Sequence, residues 1–111
     1  MKHLIDSIQY KGLDADDWFD LGIVPAMASM EISSDDSANG RVLTYAVNAT
    51  IKRHPRMGDA SLEQEMILRV SYDNGRTVDL GTPEMPVRLS MKMTDVLSVS
   101  ATWKTRPGLI R

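Results

Sequence analysis

The sequence predicts a mainly β fold: an antiparallel β-sandwich or an open rolled barrel of six to seven strands, with one short helix near the N-terminus. Three observations predict it. Apolar and polar residues alternate with period two over most of the chain, the spacing of strands that bury one face. Clusters of Gly, Asn, Asp and Pro break these runs at short intervals, as turns do. Only residues 13–22 read as helix.

The elements follow in order. Leu4 to Tyr10 alternates imperfectly and is expected to be a short first strand. In residues 13–22, Asp14 is placed to cap a turn of helix, Asp16 and Asp17 suit its N-terminal end, and Gly22 suits its stop. Trp18, Phe19 and Leu21 are then its apolar plug. From Val24, period two sets Val24, Ala26, Ala28, Met30 and Ile32 against Pro25, Met27, Ser29 and Glu31. Proline donates nothing to a ladder, so an edge-like or bulged start is expected.

Residues 33–40 have the composition of a polar loop, closed by Asn39-Gly40. Arg41 to Lys52 is the cleanest strand, with Leu43, Tyr45, Val47, Ala49 and Ile51 on one face. It is expected to form a long hairpin with 23–32. A second loop over 53–60 leads to strands at 66–72 and 76–80, joined at Asp73-Asn74-Gly75. A two-residue turn there sets Val70 against Asp79, mixing apolar and charged residues on each face. A three-residue turn with Gly75 left-handed and a bulge pairs Val70 with Val78 and Leu68 with Leu80, so that register is expected. Two more half-buried strands follow, over 87–94 and 97–103. The tail from Pro107 is expected to fray or to dock on a partner.

A chain of 111 residues, 42% hydrophobic and 25% charged, is long enough to bury a core without metals or disulfides. No repeat, low-complexity tract or Gly/Ser linker marks a boundary, so one β domain over 1–111 is expected. Met1 to Ile8 lacks the unbroken apolar run of a secretory signal, and no stretch approaches the ~20 apolar residues that cross a bilayer. Cytoplasmic synthesis is the expectation, with no membrane partner.

The residue inventory excludes several chemistries. With no cysteine there is no disulfide scaffold, thiolate nucleophile or thiolate ligand. His3 and His54 have no spaced partner for zinc, and no serine sits in a GxSxG turn. Phosphate-cradling glycine loops are missing. Asp14, Asp16, Asp17 and Asp20 invite a calcium reading but lack the glycine and terminal glutamate of a calcium loop, and a solvated helix start, the favoured reading, explains the same residues. No cofactor is expected, and the chain is expected not to be an enzyme. A sequence pI near 5.6 argues against nucleic acid.

Charge is unevenly placed. Residues 1–40 carry two bases against eight acids, net −6, and residues 41–111 carry eleven bases against seven acids, net +4. Opposed surfaces of this kind orient association between copies, unless the halves lie side by side and cancel. The densest basic run is Lys52, Arg53, His54 and Arg56, with Lys104 and Arg106 further on. Eight methionines against one phenylalanine mean a soft core, or an adaptable surface where Met27, Met57 or Met85 is exposed.

Residues 8–23 read Ile-Gln-Tyr-Lys-Gly-Leu-Asp-Ala-Asp-Asp-Trp-Phe-Asp-Leu-Gly-Ile. A strand, a Gly12-Leu13-Asp14 step and an Asp20-Leu21-Gly22-Ile23 close resemble the opening of tail proteins of tailed bacteriophages, distal-tail components included. The resemblance implies a β-rich virion subunit that packs into rings or tubes, and it carries no binding residues. The expected function is therefore structural, as a subunit that self-assembles into an oligomer or ring. Its contact elements are the 33–40 and 53–60 loops and the tail, with Asp35, Asp36, Asn39, Lys52, Arg53, His54, Arg56 and Arg106 as contact residues. The alternative is a ligand-binding or adaptor module for glycan or peptide, favoured by an exposed Trp18 or Trp103 beside a groove. An enzyme needs His54 bonded to a carboxylate in a pocket.

Overall fold

The computed structural model describes residues 1–37, 40–52, 62–93 and 97–105. Among them are eight strands: β1 (Lys2–Lys11), β2 (Phe19–Asp20), β3 (Ile23–Ser37), β4 (Gly40–Ile51), β5 (Leu62–Tyr72), β6 (Arg76–Leu80), β7 (Val87–Met93) and β8 (Leu97–Lys104). All their pairings are antiparallel. The order is β2-β1-β3-β4-β8-β7-β5-β6, and β1 also pairs with β5, so the ladder β1-β3-β4-β8-β7-β5 returns to its start.

Two strands make that return by changing partner along their length. β1 pairs with β3 over Lys2–Leu4 and with β5 over Ile5–Lys11. β5 pairs with β7 over Leu62–Met66, then with β6 and β1 from Ile67 onward. The register of β1 slips between Ile5 and Ser7, which is why its alternation in sequence is imperfect. Asp6, the residue in the slip, accepts a 2.8 Å hydrogen bond from the Asn74 N–H.

The expected helix over 13–22 is not formed. Ala15 N–H donates to the Gly12 carbonyl in a single tight turn, and Phe19 and Asp20 then pair with Tyr10 and Gln9 as β2. A helical nucleus fixes several residues for one hydrogen bond, and a segment this short, rich in aspartate, gains too little from propagation. Leu21 alone of the expected plug is buried, while Phe19 is exposed and Trp18 half-buried.

The bulged start of the strand at 23–32 is formed. Ile23 pairs with Ile51 and Ala28 with Ala49, so five steps along β3 match two along β4. Pro25 and Ala26 lie in this bulge, and Ala26 takes φ 64°, left-handed for a residue with a Cβ. The bulge removes Ala26 from the inward row expected for it and leaves Val24 only half-buried, while Met27 keeps the outward side expected of it, 52% exposed.

The β5–β6 hairpin has the expected register, Leu68 with Leu80 and Val70 with Val78. Its turn differs in detail. Asp73 and Asn74 take the left-handed conformation, at φ 50° and 56°, and Gly75 lies at φ 145°. Aspartate and asparagine tolerate that region best among residues with side chains, whereas the Gly75 angle suits glycine alone.

One core fills the circuit, with Ile8, Met30, Val47, Leu68, Val70, Leu80, Val87 and Leu89 excluded from solvent almost entirely. Tyr45 and Trp103 pack against it with ring centroids 6.3 Å apart. Burial, and after it the charge on Tyr72, raises the Tyr45 pKa from its ordinary value.

Gly81, where β6 ends, has φ 92° and no room for a side chain: a Cβ there would lie 3.0 Å from Val87 N and 3.1 Å from Val87 Cγ2. Gly81→Ala is expected to lower stability by ~1–3 kcal/mol through backbone strain alone. An unchanged urea midpoint would show that the β6–β7 connection is looser than this geometry.

Candidate interaction surfaces

The long hairpin runs past the body of the sheet. β1 leaves β3 after Glu31, with one more exchange of hydrogen bonds between Met1 and Ile32. β8 leaves β4 after Thr44, followed by Thr105 bonding to Leu43 through both backbone and hydroxyl. Beyond these points β3 and β4 pair only with each other among the described residues, from Ser33–Thr44 to Ser37–Gly40. The expected polar loop at 33–40 is therefore a two-stranded arm as far as Ser37. Its strand was hidden because both of its faces meet solvent, so no apolar alternation is needed.

Asp35 and Asp36 lie on this arm, both exposed, and the Arg41 Nε donates to Asp36 Oδ1 at 3.3 Å. Lys52 lies just past the other end of β4, exposed, its N–H bonded to the Gly22 carbonyl. At ~3.3 Å per residue, the acidic pair and Lys52 are separated by ~35 Å along the hairpin. Asn39, Arg53, His54, Arg56 and Arg106 lie outside the described residues, as do the whole of the 53–60 loop and the tail from Pro107. The strands of residues 1–40, β2-β1-β3, are contiguous in the sheet and meet those of residues 41–111 along β3–β4 and β1–β5, so the two oppositely charged halves lie side by side in one fold.

Between these ends, the outward face of β3, β4, β8 and β7 forms a shallow cleft of about 530 Å³. The register sets Ser29, Asn48, Ser100 and Ser90 in one row across four strands and Thr50, Ser98 and Lys92 in the next. Met27, on the same outward side as Ser29, stands in the lining beside it. Lys92 is the one charged residue of the lining among the described residues. Each strand's polar face is legible in sequence. The cleft is not, because it depends on β8 inserting between β4 and β7.

A second cluster covers the outward side of β1, β5 and β6. The Arg69 guanidinium lies 4.2 Å from the Trp18 ring centroid and the Lys11 ammonium 5.1 Å from it. Asp79, paired with Arg69 across β5 and β6, accepts two hydrogen bonds from it, at 2.9 and 3.1 Å. The hydrogen bond to Asp79 is the main cause raising the Arg69 pKa from its ordinary value. Trp103 is half-buried, and its indole N–H donates to the Met85 carbonyl at 3.0 Å. Both indoles are therefore engaged by the protein itself.

His3 bonds through Nδ1 to Asp73 Oδ2 and meets the Tyr72 ring edge-on, centroids 5.2 Å apart. With Asp6–Asn74 and the Asp73 N–H to the Leu4 carbonyl, this contact ties the β5–β6 turn to β1. Its role there is to hold the turn. Among the described residues, no group of three or more His, Asp or Glu is arranged to hold a metal ion, and Asp14, Asp16, Asp17 and Asp20 do not converge. No helix among them is long and apolar enough to cross a membrane. No family model, curated protein or solved structure matches the chain.

Proposed function

We propose that this chain is a non-enzymatic structural subunit that assembles with further copies of itself, its strands rolled into a barrel-like body from which the β3–β4 arm reaches a neighbour. The arm is the observation that carries this reading. A two-stranded ribbon is marginal in water on its own, and its unpaired edges are a template for contact with another chain. Asp35 and Asp36 guard those edges against indiscriminate pairing while leaving the arm free for a matched surface.

The resemblance of residues 8–23 to tail proteins of tailed phages gives the setting: a virion subunit, made in the cytoplasm and working by packing with other subunits. A glycan or peptide module is the less favoured reading. It calls for a free indole face, and here Arg69 and Lys11 lie over Trp18 while Met85 holds Trp103.

Sedimentation velocity from ~1 μM to ~1 mM, a range that spans moderate to weak association, tests the assembly reading. The weight-average mass is expected to rise with concentration above the 12.4 kDa of one chain. A constant monomer across the range overturns it.

A further inference from the structure

We infer that the acidic arm of one copy docks in the hydroxyl-lined cleft of the next, with Asp35 and Asp36 against the end marked by Lys52 and Lys92. This rests on the assembly reading above and names the surfaces that carry it.

Three observations lead there. First, the cleft is lined by Ser, Thr and Asn with Lys92 as its one charged lining residue among the described residues, and Glu63 stands only at its β5 edge, bonded to Ser90, so a carboxylate entering toward Lys92 meets donors and a cation. Second, outward positions alternate along β4, and Asn48, Thr50 and Lys52 therefore continue one face, which places Lys52 beside the row of Thr50, Ser98 and Lys92. Third, the acidic and basic ends lie ~35 Å apart on the same rigid hairpin, too far to meet within one molecule. Opposite charges held at opposite ends of a rod are satisfied head to tail.

The geometry is heterologous: arm and cleft are different surfaces, and each copy offers one of each. Such contacts close into a ring or continue as an open filament, according to the rotation between neighbours. Ser90 and Ser98 already donate to Glu63 and to the Lys92 carbonyl, which fixes the hydroxyl rows before a partner arrives. Asp36 is half-neutralised by Arg41, whereas Asp35 points to the same face as Val42 with no ion-pair partner among the described residues.

The test is a charge exchange. The variant Asp35→Lys/Asp36→Lys keeps a wild-type cleft, and the variant Lys52→Glu/Lys92→Glu keeps a wild-type arm. All four positions are exposed, so both variants are expected to fold, with circular dichroism and thermal unfolding close to wild type. Each alone is expected to associate at least about tenfold more weakly than wild type. An equimolar mixture is expected to recover association, because the basic arm of one variant then faces the acidic cleft of the other and the reverse pair remains native.

Recovery in the mixture also shows that neither variant lost association by misfolding. If wild type assembles and either variant alone assembles equally well, the docking is overturned while the assembly reading stands. If both variants stay dissociated when mixed, the docking is overturned as well. A wild-type chain that never associates removes both.

Discussion

Leu68→Ala is expected to lower the free energy of unfolding by ~3–5 kcal/mol, the largest loss from any single truncation argued for this chain. Leu68 is wholly excluded from solvent and sits in a row with Tyr10 on β1 and Leu80 on β6. It lies just past the place where β5 changes partner from β7 to β6, so three strands meet around it. Removing its branched end deletes packing against its cross-strand neighbours Tyr10 and Leu80 and against the core. The rigid backbone pairing on both sides prevents the space from collapsing, which is the condition under which the cavity cost adds to the lost transfer energy. A domain of this size is stable by ~5–15 kcal/mol, so the variant would stand close to unfolding at room temperature. Urea denaturation followed by Trp fluorescence measures it; a loss under ~1 kcal/mol would mean that the row does not pack as described. Ser100→Ala, on the outward face of β8, is the control and is expected to change little.

What the sequence disclosed follows the same physics. The Leu68–Leu80 register is legible because one alternative turn mixes charges with apolar residues on each face and the other does not. Pro25 discloses the bulge for a similarly local reason, a missing N–H. The helix over 13–22 is a false reading because capping residues and acids mark any chain reversal, and Asp14 serves a tight turn as readily as a helix start. The arm at 33–37 is illegible because alternation reports burial and not strand geometry. A ribbon wet on both faces has nothing to alternate, and its serines and aspartates look like loop. Of the site, Asp35, Asp36 and Lys52 are found by charge alone, while the row of Ser29, Asn48, Ser100 and Ser90 needs a strand order that no local pattern encodes.

The arm and the body are separable, and this gives the second large effect. Replacing residues 34–43 by Asn-Gly closes the hairpin at Ser33 and Thr44, a position where the two strands exchange hydrogen bonds: Ile32 turns its backbone to Met1, and Leu43 turns its own to Thr105. Asn-Gly is the turn that suits a two-residue connection between twisted strands. The core ends short of the cut, since the outermost side chains packed on it from this hairpin are Ile32 and Tyr45. The shortened chain is expected to keep its body, losing the Leu43–Thr105 pairing and no more than ~1–2 kcal/mol of stability.

Association is expected to fall by at least about a hundredfold, because the truncation removes the whole docking element, whereas the charge exchange only opposes it. The comparison of stability with assembly decides the outcome. A shortened chain that still assembles places the interface on the body, and then the arm's acids serve only to keep its edges apart. A shortened chain that is folded and monomeric leaves the arm as the element that joins one copy to the next.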